Sequence, residues 1–197
     1  MRRPGGGLGG AYAPHVPDSP RARNRPPVLV SVGGLPATGK TTIARSVAAA
    51  TRAAYVRLDT IERAVARAEG GYEASNGWVL PPGYHVAYEV AADQLRLGLD
   101  VVAESVNALA VIRDAWRDTA LGAGARLVEV EVVCSDPAEH RRRAEERVLD
   151  IEGLANPTWE QITRREYERW ERDRLVLDTA RLTPEESTRR VLRAMED

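Results

Sequence analysis

Three residue types are scarce in this chain, and their scarcity narrows what the protein can be. The 197 residues include no phenylalanine, one cysteine and one lysine. The single Cys134 excludes an internal disulfide and predicts a reducing, cytoplasmic environment. One cysteine and three scattered histidines also lack the ligand spacing of a zinc site. Because Cys134 follows the valine-rich run 127–133, we expect it to be a buried thiol.

Long apolar runs and an excess of either charge are also missing. No run approaches the roughly 20 apolar residues that span a bilayer, and the formal net charge is −1. A near-neutral chain is not drawn electrostatically to nucleic acid or to an anionic membrane, so we expect neither as a partner. The composition that remains, 43% hydrophobic and 29% charged, is that of one globular domain with a proper core.

Residues 1–27 differ in composition from the rest of the chain. They contain six prolines, five arginines and clustered glycines, with almost nothing to bury. This composition predicts a disordered N-terminal arm ahead of a domain over residues 28–197. The arm has a charged start but no apolar central stretch, so we do not expect a secretory signal. We interpret it as an inert tail, with a basic arm that touches nucleic acid as the alternative.

Beyond the arm, short apolar segments alternate with helical patterns. The run 28–32 is continuously apolar, which is typical of a strand buried on both faces. Alternation of this kind predicts parallel strands joined by right-handed crossovers, and hence an α/β fold whose sheet is covered on both faces. The predicted strands are 28–32, 54–58, 100–103, 126–134 and 175–177. The predicted helices are about 41–52, 60–69, 84–97, 110–121 and 158–172, with further helix starts at the capping patterns of Asp136 and Thr183.

The first predicted strand leads into a glycine-rich turn that fits the pattern G-x-x-x-x-G-K-[ST]. Glycine leaves room for several backbone N–H groups to point at one polyphosphate, and the following helix start adds partial positive charge. The only lysine, Lys40, falls within this motif, where a planar guanidinium is too wide and a compact ammonium fits. Lys40 is expected to reach the outer phosphates and the Thr41 hydroxyl to bind Mg²⁺. The predicted nucleotide-binding residues of this turn are Gly34, Thr38, Gly39, Lys40, Thr41 and Thr42.

A carboxylate follows the second predicted strand, in Leu58-Asp59-Thr60, with Arg63 one turn later. A carboxylate at the carboxyl edge of a parallel strand lies in the ligand crevice, although Asp59 is also a good helix cap. Here the sequence resembles the small P-loop phosphotransferases, such as chloramphenicol phosphotransferase, zeta toxins and gluconate kinase. The resemblance implies a three-layer P-loop fold with a five-stranded parallel sheet in the order 2-3-1-4-5. It also implies Asp59 as the general base and Arg63 as an acceptor contact.

The third predicted strand ends in Glu104, followed by Ser105-Val106-Asn107. An acid at this position can hold Mg²⁺ through water or orient the acceptor. The related proteins often carry Asp here, which leaves direct metal contact by Glu104 open. Asn107 and Arg113 are further candidates for acceptor binding, with a solvated helix arginine as the alternative for Arg113.

An arginine-rich helix precedes the segment that the resemblance identifies as a short lid, about residues 147–157. Arg143 and Arg147 are four residues apart, so both are expected on one helix face, where they could meet a triphosphate together. Neighbouring glutamates allow the alternative of a solvated, salt-bridged helix. In the next predicted helix, Trp159, Ile162 and Trp170 share a face that we interpret as core rather than as a base-stacking platform.

These patterns, together with the resemblance to small P-loop phosphotransferases, predict an ATP- and Mg²⁺-dependent kinase that phosphorylates a hydroxyl group of a small molecule. Asp59, Lys40 and Arg147 are the predicted catalytic residues. The absence of a second lysine excludes the N-K-x-D motif that reads guanine. Three alternatives remain: a polynucleotide 5′-hydroxyl kinase, a toxin-like nucleotide-sugar kinase, and an ATP-sensing module without catalysis. Neither the acceptor nor the oligomeric state follows from the sequence.

Overall fold

Five short, largely buried segments form a single parallel sheet in the computed structural model, which describes residues 25–68, 81–151 and 155–197. The strands lie in the order β2-β3-β1-β4-β5, and the predicted order is confirmed. Every residue of the central strand is buried, as its continuous apolar run predicts. The five strands are β1 (Val28–Gly33), β2 (Ala54–Arg57), β3 (Val101–Glu104), β4 (Arg126–Val133) and β5 (Leu175–Asp178).

The described part of the chain contains seven helices. They are α1 (Lys40–Thr51), α2 (Leu58–Ala68), α3 (Pro82–Arg96), α4 (Ala110–Gly122), α5 (Pro137–Glu146), α6 (Trp159–Thr163) and α7 (Pro184–Glu196). On one face of the sheet, Val47 and Val191 from α1 and α7 pack over Val30 and Val130. On the other face, α3 and α4 pack over β1 and β3, with Leu95 and Trp116 buried against Leu29 and Val101. The expected three-layer arrangement is therefore confirmed.

The strand register sets the position of the site. Val32 pairs with Glu104 on one side and with Val130 on the other, and Arg57 also pairs with Glu104. The carboxyl ends of β1, β2 and β3 therefore meet at one edge of the sheet, next to the turn between β1 and α1. In open parallel sheets this edge is where ligands bind.

Helix capping confirms the predicted starts after Asp136, Thr158 and Thr183. Asp136 accepts hydrogen bonds from the first-turn N–H groups of Ala138 and Glu139. Thr158 and Thr183 each form a complete capping box with the third residue of their helices. These local bonds satisfy N–H groups that have no partner within the helix, which is why the pattern is readable from sequence.

The predicted helix over residues 158–172 is wrong in its length, since α6 ends at Thr163. Tertiary bonds compete for the backbone beyond it: the Arg113 guanidinium donates to the carbonyls of Glu168 and Arg169, and the N–H of Glu168 donates to Ala108. These groups would otherwise form the helical ladder. Ile162 and Trp170 are nonetheless buried, as core packing predicts.

Two smaller predictions also need correction, and a third, the N-terminal arm, lies largely outside the described residues. Helix α2 begins at Leu58 rather than at Thr60, so Asp59 lies in its first turn instead of capping it. Cys134 is half-buried rather than buried, because β4 ends one residue before it. Most of the predicted arm over 1–27, together with residues 69–80 and 152–154, lies outside the described ranges. No helix within those ranges is both long and apolar enough to cross a bilayer.

Candidate active site

The turn between β1 and α1, the phosphate loop, needs glycine at two positions. Gly34 has φ of 138°, and a Cβ there would lie 2.1 Å from the Val132 carbonyl oxygen. Its N–H donates to Val106, beyond the end of β3, at 3.0 Å. Gly39, directly before α1, has φ of 98°, a left-handed conformation that a residue with a side chain rarely adopts. The loop therefore follows a path close to neighbouring backbone that only these glycines allow.

Side chains from two other segments hold the phosphate loop in place. The His140 ring, on α5, lies 2.8 Å from the Pro36 carbonyl and donates to it from Nε2, since a carbonyl only accepts. The Thr179 hydroxyl, just after β5, lies 2.8 Å from the Thr38 carbonyl. Inside the loop, the Thr38 hydroxyl donates to Leu35 at 2.9 Å. The loop is thus braced from outside and closed on itself.

Lys40, the first residue of α1, has its side chain buried against this loop. Its Nζ donates to the Leu35 carbonyl at 2.9 Å. Burial lowers the pKa of Lys40 from its ordinary value of 10.5 to about 8, an effect that the negative charges of Glu104 and Asp59 oppose. The value of about 8 already includes like-charge repulsion from Arg147 and Arg165, which contributes to lowering the pKa. Keeping this buried ammonium charged costs free energy, and an anion such as a phosphate beside it would offset that cost.

Glu104 accepts hydrogen bonds on both carboxylate oxygens. The Thr41 hydroxyl, in the first turn of α1, donates to one oxygen, and the Tyr55 hydroxyl, on β2, donates to the other. Burial, together with the nearby carboxylate, raises the pKa of Tyr55, which keeps it a donor. An alcohol and a carboxylate are oxygen ligands of the kind that Mg²⁺ takes in phosphoryl-transfer sites. The described residues contain no cluster of three or more His, Cys, Asp or Glu side chains suited to a metal, so Mg²⁺ at this pair would also depend on phosphate and water oxygens.

Two cavities meet at Lys40 and Arg147. The smaller, of about 320 Å³, lies over the start of α1 and is lined by Gly39, Thr41 and Thr42 among others. The larger, of about 480 Å³, lies over the ends of β2 and β3. It is lined by Pro36 of the phosphate loop, by Lys40 at the start of α1, by Asp59, Glu104, Ser105 and Val106, and by Arg147, Leu149, Ala155, Asn156, Pro157, Gln161 and Arg165. Lys40 and Arg147 line both cavities and so stand at their boundary.

The structure brings Asp59 into the larger cavity but leaves three other predicted acceptor residues outside it. Asp59 is half-buried in the first turn of α2, and Arg63 lies one turn further along the helix. Asn107 is fully buried: its amide donates to Ser31 at 3.1 Å and its oxygen accepts from Trp116 at 3.1 Å. Arg113 is 3% exposed, donates to four backbone carbonyls and lies over the Trp170 ring. Asn107 and Arg113 therefore hold the fold beneath the site.

The expectation that Arg143 and Arg147 share a helix face is wrong. Helix α5 ends at Glu146, and Arg147 takes an extended conformation with ψ of 123°. The Arg143 guanidinium donates to Glu139 at 2.7 Å and to the Thr179 hydroxyl at 2.8 Å. The bond to Glu139 is the kind of salt bridge that the alternative interpretation of this helix predicts. Both arginines still line the smaller cavity.

The predicted lid, residues 147–157, is irregular where it is described and is tied to the domain by Asp150. The Asp150 carboxylate accepts from Arg57, at the end of β2, at 2.9 Å, and also pairs with Arg45 on α1. These two guanidinium groups lower the pKa of Asp150 to about 2. The start of the lid is therefore held against α1 and β2 by ion pairs.

Several residues that shape the site did not emerge from the sequence. Tyr55, Gln161 and Arg165 lack any local pattern, because only the tertiary fold brings them to Glu104 or to the larger cavity. Thr179 carried a readable signal, since it directly follows a parallel strand at the edge where ligands bind. His140 was one of three scattered histidines, and its position on a capped helix did not indicate the contact with Pro36.

A glycine-rich phosphate loop between β1 and α1 of a parallel sheet in this order defines the P-loop nucleotide-binding class. Within that class, the family model described as "AAA domain" matches residues 29–168. The chain belongs to that family. No protein among those of curated function matches the chain.

Solved structures of small P-loop kinases share the fold. An APS kinase of Mycobacterium tuberculosis, solved with AMPPNP and APS, matches with a TM-score of 0.63 at 21% identity, over 87% of this chain and 98% of that one. A sugar kinase of Janibacter sp. HTCC2649 matches with a TM-score of 0.61 at 23% identity, over 87% of this chain and 95% of that one. A gluconokinase of Sinorhizobium meliloti 1021 matches with a TM-score of 0.58 at 18% identity, over 87% of this chain and 93% of that one. The predicted resemblance to small P-loop kinases is thus confirmed at the level of the fold.

Proposed function

We propose that the protein is a phosphotransferase that uses ATP and Mg²⁺ to phosphorylate a hydroxyl group of a small molecule. The observation that carries this proposal is the shared boundary of the two cavities. One cavity contains the start of α1 and the phosphate loop, the other contains Asp59, and Lys40 and Arg147 lie between them. A γ-phosphate bound at this boundary would face an acceptor hydroxyl placed at Asp59.

The phosphates of ATP would lie against the backbone N–H groups of the phosphate loop and the N-terminus of α1. Thr41 would hold Mg²⁺ through its hydroxyl and Glu104 would do so through water, and the metal would supply positive charge that shields the phosphates. Tyr55 keeps the Glu104 carboxylate oriented by its hydrogen bond. Lys40 is the buried cation that the outermost phosphates would meet.

Transfer then needs a base and positive charge at the boundary. Asp59 would accept the proton of the acceptor hydroxyl while that oxygen bonds to the γ-phosphorus. The bond from the γ-phosphorus to the bridging oxygen breaks at the same time, and ADP leaves with that electron pair. Lys40 and Arg147 neutralise the charge that spreads over the transferred group, so positioning and electrostatics supply most of the catalysis.

The test follows labelled phosphate from ATP into a panel of nucleosides, sugars, aminocyclitols and antibiotics. Asp59→Asn should lower kcat for the accepted compound by about 10²- to 10⁴-fold and leave ATP binding unchanged, because the amide cannot take the proton. Asp118→Asn, an exposed aspartate on α4, is the matched control and should behave as the wild type. Equal turnover by Asp59→Asn would refute the assignment of the base. ATP binding without transfer to any compound would favour the ATP-sensing alternative.

A further inference from the structure

The larger cavity carries an arginine that the proposed reaction does not use. Arg165, which follows α6, lines the cavity that contains Asp59 and does not line the cavity over the start of α1. Its charge acts on Lys40 and on the buried Tyr84, lowering the pKa of both groups relative to burial alone. The guanidinium therefore lies on the acceptor side of the site.

The charges around this cavity do not balance. Lys40, Arg147 and Arg165 bring three positive charges to it, whereas Asp59 and Glu104 bring two negative ones. Both oxygens of Glu104 already accept hydrogen bonds, from Thr41 and Tyr55. Positive charge is thus left over on the side that faces the acceptor.

Among the described residues, the guanidinium groups of Arg165 and Arg147 are unbonded, unlike those of several neighbouring arginines such as Arg143 and Arg164. Across residues 25–68, 81–151 and 155–197, neither guanidinium forms an ion pair or a side-chain hydrogen bond, whereas Arg164, the neighbour of Arg165, pairs with Glu160 at 2.9 Å. Arg147 stands at the boundary, where the γ-phosphate would occupy it. Arg165 has no such use and remains available to a second anion.

From this arrangement we infer that the acceptor is an anionic alcohol, whose carboxylate, phosphate or sulfate group binds Arg165 while its hydroxyl faces Asp59. A guanidinium binds such groups with two parallel hydrogen bonds, which fix orientation as well as adding affinity. The cavity volume of about 480 Å³ lies within the range of small-molecule sites. This inference rests on the proposed phosphotransferase function and names the acceptor class of the same site.

The first experiment compares acceptors that differ only in charge. Glycerol, glycerate and glycerol 3-phosphate form one matched series, and glucose, gluconate and glucose 6-phosphate form another. Labelled ATP should transfer phosphate to at least one anionic member and to neither neutral parent. For that acceptor, Arg165→Gln should raise KM by about ten- to a hundredfold, the loss of a charge-assisted hydrogen bond, with the KM for ATP unchanged. Arg164→Gln, the adjacent surface arginine, should leave both constants at wild-type values.

The second experiment does not depend on turnover. With the nucleotide site saturated by Mg²⁺ and a non-hydrolysable ATP analogue, inorganic phosphate should raise the Tm of the wild type and of Arg164→Gln more than that of Arg165→Gln. An equal rise in Tm in all three proteins would overturn the anion site. Phosphorylation of the neutral parents by the wild type and by Arg165→Gln alike, in the first experiment, would overturn it too. In either case the phosphotransferase proposal would stand. A selective rise without transfer to any compound would instead support the anion site and count against phosphoryl transfer. Failure of the analogue itself to raise Tm would refute nucleotide binding.

Discussion

Lys40 offers a direct measurement of the electrostatics of the phosphate loop, because it is the only lysine of the chain. Protein labelled with ¹³C-lysine should give one side-chain resonance, with no overlap to resolve. Without nucleotide, its titration midpoint should lie near pH 8 rather than at the ordinary 10.5, since burial disfavours the charged form. A polyphosphate beside the ammonium should return the midpoint to above 10, because an opposite charge favours the protonated state.

The same lowered pKa makes a prediction for stability, and its sign follows from proton binding. Between pH 8 and 10.5 the unfolded chain binds more protons at Lys40 than the folded chain, so the wild type should become more stable as pH rises. Below pH 8 the charged lysine should cost about 3 kcal/mol of unfolding free energy. Lys40→Met removes this titration. The unfolding free energy of the wild type, measured in urea, should therefore rise relative to that of Lys40→Met by about 2 to 3 kcal/mol between pH 7 and pH 10.

Two results would refute this account of Lys40. A lysine resonance that titrates near 10.5 without nucleotide would show that the ammonium is solvated rather than buried. A difference between wild type and Lys40→Met that does not change with pH would show that the folded protein does not disfavour the charge. Arg52→Met, at an exposed arginine just after α1, is the matched control for removing a positive charge and should show no dependence on pH in this range.

Three further substitutions test the geometry of the loop and the lid. Lys40→Arg should lose most ATP turnover, because the wider guanidinium does not fit a loop that closes on the Leu35 carbonyl; near-wild-type rates in a labelled-ATP assay would contradict this. Gly34→Ala should lower unfolding free energy by more than about 1 kcal/mol in urea, since its Cβ would meet the Val132 carbonyl; wild-type stability would argue against the loop path. Asp150→Asn should reduce stability at pH 6, and its difference from the wild type should vanish as pH falls from about 4 toward 2, because the carboxylate loses its charge there; a difference constant down to pH 2 would exclude the ion pairs as its cause.

The sheet and the phosphate loop could be predicted because their signals are local. The apolar run before Gly34 indicates a strand buried on both faces, and the motif around Lys40 indicates phosphate binding by its residue types and spacing. Capping residues such as Thr183 likewise bond to backbone within one turn. The error over residues 158–172 has the opposite origin, because its helical pattern is overridden by Arg113, which is 45 or more positions away in the chain and takes the backbone carbonyls of Glu168 and Arg169.

Arginine usage shows why the site residues were harder to predict than the fold. The sequence contains 27 arginines, and each is a plausible phosphate ligand by type. The structure separates them by what their guanidinium groups already bind: Arg113 holds backbone carbonyls, Arg57 holds the lid carboxylate of Asp150, and Arg143 holds Glu139 and Thr179. A guanidinium that is already satisfied must break those bonds before it binds substrate, at a cost that a free one does not bear. Arg147 and Arg165 line the cavities without such bonds among the described residues, and this difference, rather than position in a motif, makes them the arginines best suited to bind the two anions of the proposed reaction.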